Sequence, residues 1–438
     1  MKNRIRLAAV LCCVLMLTCL LPTISSAIPA GPSLRTTLTD NALQRGSRKT
    51  FDVWARNAGG EKIVATVRHN GQKVEPTWDD NEKTSYTLNF TEEGENVVTV
   101  TAFSDGGRKA ELTYHILYSP TEPGGEIGRA IWSVELFTIG GGYLIEPTEL
   151  PIIEGETAAE QLLRLISENG LVAYYDGKVQ SSFYLAYIAD GTSERENYNG
   201  YKRSDSPTNP QELDLTPEIP PLLVPYLEKN MSYFDPEDYT KNSRGYLGEF
   251  AFTNGSGWIY EVNHVFPNVG FADCYLSDGD VVRVQFTLGY GADIGGAEAV
   301  GNESGGYYPV ANKDRLTKRI CEAHTLGLSA TTNVGRAYRA ALSVMETLDA
   351  AQDAVDAADA ALALALKDPV EELPTEEITT EKTTEPIPSG SVPAQTEERT
   401  LSQGGCFAGV TEVWFVFAAV ALPGTFLQFC MGKRRKTR

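Results

Sequence analysis

An apolar run at Val413–Met431, followed directly by Lys433, Arg434, Arg435 and Lys436, sets the first limit on what this chain can fold into. Its length suits one membrane span. Pro423 and Gly424 lie inside it, which a membrane helix tolerates better than a soluble one. The basic cluster then holds residues 432–438 in the cytoplasm and leaves everything before the span outside. The other end agrees. Lys2, Arg4 and Arg6 precede the apolar stretch Leu7–Leu21, and Ser25, Ser26 and Ala27 offer small residues for cleavage, so residues 1–30 read as a secretory signal peptide. The expectation is a single-pass protein of the cell membrane with an extracellular body.

The 438 residues are 42% hydrophobic and 22% charged, which is ordinary globular usage and makes roughly two to four modules. The 58 acids against 38 bases give a net charge of −20. Phosphate backbones and anionic membrane surfaces would repel such a body, so nucleic-acid binding is excluded as a function class. Only 4 His are present, too few for a His-rich metal site. Cys12, Cys13 and Cys19 leave with the signal, and Cys406 and Cys430 flank the span. Cys274 and Cys321 remain in different modules, so no structural disulfide is expected, and no Cys/His spacing suggests zinc. The order of signal, body, span and basic tail resembles Gram-positive surface proteins. Leu401-Ser402-Gln403-Gly404-Gly405 keeps the Leu and last Gly of their LPxTG sorting motif but lacks its Pro and Thr. Membrane anchoring is therefore expected rather than transfer to the cell wall.

Between the ends the chain divides into four segments. Residues 35–119 alternate apolar and polar at Thr50–Ala55, Lys62–Arg68, Tyr86–Phe90, Asn96–Ala102 and Lys109–Tyr118, with hairpin turns at Asn70-Gly71 and Asp105-Gly106-Gly107. That pattern predicts a small β-sandwich. Its Gly94–Ala102 run resembles the Ig-like or cadherin-like spacers of bacterial surface proteins, without a calcium-type Asp cluster. Residues 312–366 repeat Leu342, Met345, Leu348, Ala351, Val355, Ala358, Leu362 and Leu366 at helical steps. The Asp349–Ala358 run resembles the FIVAR-type helical modules of adhesins, and any Ala-rich amphipathic spacer hairpin would read alike. Residues 368–403, rich in Thr, Glu and Pro, cannot bury enough apolar surface to order and read as a stalk.

The fourth segment, 130–297, predicts strands at Ile131–Thr138, Tyr143–Pro147, Leu171–Tyr175, Ser182–Ile188, Gly248–Phe252, Gly257–Val262 and Val281–Tyr290. One helix opens at Thr157, which can form a capping box with Glu160, and ends at Asn169-Gly170. A Tyr- and Pro-rich insert runs from 191 to 245. The runs Ser256–Asn263, Pro267–Phe271, Tyr275–Val282 and Gly141–Pro147 resemble the transcobalamin-like C-terminal domain family, with His264 where such domains often have Gly. The resemblance implies an α+β, β-grasp-like fold and one half of a cobalamin site. The α/α barrel that supplies the other half in transcobalamins is absent.

Trp258 and Tyr260 lie two apart on a strand and share a face. Facing inward they are core; facing outward, with Tyr184 or Phe266 nearby, they form a platform for a planar ligand. Asn263 and Asn268 suit turns as well as ligand contacts. With Tyr275 of the family-like run, the candidate ligand-binding residues are Tyr184, Trp258, Tyr260, Asn263, Asn268 and Tyr275. No catalytic or metal-ligating set is expected. The sequence therefore reads as a non-catalytic, membrane-anchored binding protein whose ligand is a corrinoid such as cobalamin, a glycan or a surface protein. The alternative is an adhesion or spacer protein with no small ligand. A glycan-acting enzyme stands behind both, since no hydrolase elbow or zinc-protease motif occurs but paired carboxylates carry no fixed spacing.

Overall fold

The computed structural model describes residues 31–369, apart from 195–196, 199, 214–216, 233, 235–245, 303–304 and 328–332. The expected signal peptide, nearly all of the stalk, the sorting-like run, the span and the basic tail lie outside the described residues. Among the described residues no helix is long and apolar enough to cross a membrane.

The N-terminal module is a β-sandwich of two packed sheets. One sheet orders Ser33–Thr36, Arg48–Arg56, Thr84–Asn89 and Pro76–Asp79. The facing sheet orders Ala42–Gln44, Lys109–Tyr118, Gly94–Phe103, Thr66–His69 and Gln72–Val74. Leu43 pairs Leu117 in parallel, and the other pairings are antiparallel. Alternation builds the core: along Gly94–Phe103 residues Asn96, Val98, Val100 and Ala102 are buried while their neighbours are not. They meet Phe51, Val53, Tyr86 and Leu88 from the other sheet. The four strands that alternation misses, Ser33–Thr36, Ala42–Gln44, Gln72–Val74 and Pro76–Asp79, are only three or four residues long and lie at sheet edges.

The middle module contains two sheets. Its central sheet orders Tyr143–Ile153, Glu126–Glu135, Val281–Thr287 and Gly257–Val262, with Glu126–Glu135 and Val281–Thr287 parallel. The second is antiparallel and orders Asn197–Tyr198, Tyr201–Arg203, Leu171–Asp176, Tyr184–Asp190 and Tyr246–Gly248. The helix Ala158–Glu168 starts at a capping box: Glu160 donates its N–H to Thr157 Oγ1 at 3.4 Å and accepts the Thr157 N–H at 3.0 Å. Its buried Leu162, Leu165 and Ile166 pack with Trp132, Val134, Val282 and Val284 of the central sheet and Leu185 and Ile188 of the second.

The strand expected at Gly248–Phe252 ends at Gly248, because Phe250 takes a left-handed φ of 57° and returns its N–H to Ser256 O at 3.1 Å. The helical segment forms three helices, Asp314–His324, Asn333–Glu346 and Gln352–Lys367. Leu316, Ile320, Met345, Val355 and Leu362 share a core with Leu136, Phe286 and Leu288.

Side chains also join the sandwich to the middle module. Both Glu154 carboxylate oxygens accept the Ser47 N–H at 3.1 Å. Lys49 Nζ donates to Ser277 Oγ at 2.6 Å, and the Thr50 hydroxyl donates to Asp273 O at 2.9 Å. Lys83, buried and paired with Asp52 at 2.9 Å, also reaches Phe266 O. Glu154→Ala should loosen this joint: limited proteolysis is expected to cut residues 119–126 several-fold faster in the variant, with the thermal midpoint of the sandwich unchanged. Equal cleavage rates would mean that Glu154 does not hold the modules together.

Candidate functional site

The two faces of the central sheet differ in chemistry. On strand Val281–Thr287, Val282 and Val284 point toward the capped helix, while the alternate residues Arg283 and Gln285 are buried on the side of the three C-terminal helices. Trp258 and Tyr260 on the neighbouring strand belong to the apolar side. Tyr260 is buried, stacks on Phe271 with centroids 3.9 Å apart, and donates its hydroxyl to Val269 O at 2.8 Å. Burial raises its pKa well above the ordinary tyrosine value. Trp258 is half-buried, donates Nε1–H to Leu247 O at 2.9 Å and meets the Phe286 ring edge-on at 5.1 Å. The strand's shared face is thus packed against protein.

The remaining candidates lie elsewhere. Asn263 and His264 form a two-residue hairpin turn, both left-handed at φ 51° and 61°, closed by paired hydrogen bonds between Val262 and Val265. Asn263 also donates to Asp280 Oδ1 at 2.7 Å and accepts the Val281 N–H at 3.0 Å, so its amide serves the turn. Asn268 is half-buried, and its Nδ2 has no hydrogen-bond partner among the described residues. Tyr275 sits at the joint with the sandwich, where Arg48 lies over its ring at 5.1 Å and donates to its hydroxyl. Tyr184 is exposed on the second sheet and donates to Glu249 at 2.7 Å. The six residues do not converge on one cleft.

Sequence reasoning missed the most unusual chemistry of the module, a charged layer sealed between the central sheet and the helices. Arg283 donates to Glu135 at 2.8 and 2.7 Å and to Glu261 at 2.5 Å, and all three side chains are almost wholly buried. Lys313 closes the layer from the helical side by donating to the Met345 and Thr347 carbonyls at 2.7 and 2.8 Å. Burial pushes the Lys313 pKa down to about 7. Burial, then the Glu261 charge, pushes the Asp314 carboxyl up to about 6. The Glu261 carboxylate, 3.6 Å from His264 Nδ1, raises the His264 pKa. A cavity of about 20 Å³ lies against Glu135, Arg283, Gln285, Asp293 and Lys313, room for roughly one water. The only signal in the sequence was a lone Arg inside the run Val281-Val282-Arg283-Val284.

The raised groups fix a pH response. Asp314 and His264 both bind protons more tightly folded than unfolded, so each contributes stability below its unfolded pKa and loses it as pH rises through the folded one. Lys313 acts oppositely, and only above about pH 7. Asp314 and His264 therefore lower the urea midpoint between pH 5 and pH 7, against an opposite contribution from His69, whose pKa burial lowers, and Asp314→Asn should remove part of that fall. An unchanged pH dependence in Asp314→Asn would contradict the Asp314 assignment.

A different strain lies at the far end of the same strands. Phe250 is 62% exposed at φ 57°, a conformation that costs a bulky residue about 1–2 kcal/mol. Phe250→Gly is accordingly expected to raise stability by about 1 kcal/mol in chemical denaturation. A loss of that size would show that the exposed ring is needed for folding.

No family model matches the chain, and no curated protein matches it. Among solved structures it is similar to the BIgI domain of beta protein from S. agalactiae, at 16% identity over 21% of this chain and 99% of that one, with a TM-score of 0.16. It is similar to the Ig1-2 module of the Drosophila receptor tyrosine phosphatase DLAR at 10% identity, over 40% of this chain and 96% of that one, with a TM-score of 0.21. Surface-layer protein SbsC, domains 1-6, aligns at 13% identity over 41% of this chain; the chain spans 22% of that structure, with a TM-score of 0.21. With scores this low, function has to be read from the side chains.

Proposed function

We propose that this chain is a non-catalytic, membrane-tethered surface protein whose extracellular body serves as a rigid spacer or adhesion unit and holds no corrinoid. One observation carries the reading: three of the aromatic groups that the sequence offered to a ligand are engaged in contacts within the chain. Tyr260 stacks on Phe271, Trp258 bonds Leu247, and Tyr275 joins the middle module to the sandwich through Arg48. The same economy runs through the module joints. His324 pairs with Glu146, Tyr338 donates to Glu146 at 2.7 Å, and Lys318 donates to Gly279 O at 2.6 Å, so the helices are fixed to the middle module by side chains as well as by their core.

Titration calorimetry of the intact, detergent-solubilised chain with cobalamin and cobinamide tests the reading. No saturable heat is expected from either. A one-to-one isotherm in the micromolar range would restore corrinoid capture and overturn the spacer proposal.

A further inference from the structure

The strands Gly257–Val262 and Val281–Thr287 pair antiparallel, Gly257 beside Thr287 and Val262 beside Val282, so the hairpin has two ends. The loop that follows Val262 and returns to Val281 meets the sandwich through Phe266, Asp273, Tyr275 and Ser277. The opposite end, where Gly255 bridges Gly289, carries tyrosines instead. A Cβ at Gly255 would lie 2.8 Å from the Tyr290 ring, and one at Gly289 would lie 2.7 Å from the Tyr307 hydroxyl, so both rings rest directly on glycine backbone. Tyr307 stacks on Tyr226 at 4.8 Å and 8°, and Tyr308 meets Tyr226 edge-on at 6.1 Å. Asn254 donates to the Tyr290 hydroxyl at 3.3 Å, and Asn230 donates to Tyr226 O at 2.8 Å from the same edge.

Two of the aromatic residues at this end adopt backbone conformations that side chains ordinarily avoid. Tyr290 has φ 50° and is 38% exposed; Phe250 is tied to Ser256, next to Gly255, and is likewise left-handed. Strain of this kind persists where the surroundings over-determine it, and it concentrates at ligand sites. Neither ring repays it by entering a core: Phe250 stays largely in solvent, and Tyr290 lies against Gly255 at the surface.

We infer that this platform of Tyr226, Tyr290, Tyr307, Tyr308 and Phe250 binds a neutral oligosaccharide. Flat tyrosine faces accept the C–H side of a pyranose ring, and neighbouring asparagine amides match its hydroxyls as both donors and acceptors. Charge selects against anionic glycans, because the chain carries −20 overall. Size selects against a protein partner. Aromatic side chains bury at most about 150–250 Å² each, and these are already half-buried, so the platform falls short of the ~800 Å² per partner of a stable protein interface. It does suffice for two or three sugar units. This inference goes beyond the spacer reading, which rests on Trp258 and Tyr260, so its failure would leave that reading standing.

The test is binding of the neutral tetrasaccharides of β-1,4-glucose, α-1,4-glucose, N-acetylglucosamine and mannose to the intact, detergent-solubilised chain, by saturation-transfer NMR and calorimetry, with heparin as the anionic comparison. At least one neutral tetrasaccharide should bind and heparin should not. Tyr290→Gly should weaken that binding by about tenfold or more, the effect of losing one stacked ring. Its thermal midpoint should stay near that of the parent, because glycine is at ease at φ 50°. Phe250→Gly provides a second variant by the same logic, and Tyr184→Ala, on the second sheet, should leave affinity unchanged. Absence of binding to all four sugars, binding of heparin alone, or undiminished affinity in both glycine variants would overturn the assignment.

Discussion

Arg283→Met is expected to cost the body about 3–5 kcal/mol in urea or guanidinium denaturation, enough to abolish folding if the parent is only marginally stable. Arg283 bridges two almost wholly buried carboxylates, Glu135 and Glu261. Burial on its own would push the Glu261 carboxyl up, but Arg283 and His264 outweigh it and hold Glu261 below the ordinary carboxylate range. Without the guanidinium both acids must take up protons or draw in water, and the helices packed over them must move. The triple variant R283M/E135L/E261L separates charge from packing. It should recover most of the loss, because a buried ion pair seldom outcompetes a well-packed apolar replacement. If R283M alone were neutral, the layer would be solvated and the helices would not be sealed against the sheet.

Tyr260→Ala is the second large effect, expected at about 3–5 kcal/mol, the usual cost of emptying a buried aromatic position. It removes the ring that stacks on Phe271 and the hydroxyl that satisfies Val269 O. Tyr260→Phe should lose only about 1 kcal/mol, the net worth of one hydrogen bond. This pair of variants speaks directly to function. A tyrosine kept for an outside ligand could be truncated with little loss of stability, and that result would reopen the ligand reading of this face.

How much was legible depends on how local the cause was. The strands Gly257–Val262 and Lys109–Tyr118 and the Thr157 capping box were readable, because alternation and a four-residue cap are decided by neighbouring residues. The break after Gly248 was not, since it turns on Phe250 accepting a left-handed backbone that its side chain disfavours. The side on which Trp258 and Tyr260 would fall could not be chosen either, because period-two patterning puts them on one face without saying what covers it. The charged layer was hidden for the same reason. Glu135, Glu261 and Arg283 stand far apart in sequence and meet only through the pairing of Gly257–Val262 and Glu126–Glu135 with the strand between them. The platform at Tyr226, Tyr290 and Tyr307 likewise comes from three separate segments that the Gly255–Gly289 bridge brings together.

The most direct test of the account is protease shaving of intact cells, with the released fragments identified by mass spectrometry. The proposed surface-tethered body, whose modules are joined by Glu154, Lys83, Lys318 and Glu146, should be cut first within residues 370–403 and leave the cell as one resistant fragment holding sandwich, middle module and helices together. Earlier cutting between the modules, at residues 119–126 or 300–312, would contradict a rigid body. Complete protection on intact cells, with cleavage only after lysis, would contradict its place outside the membrane.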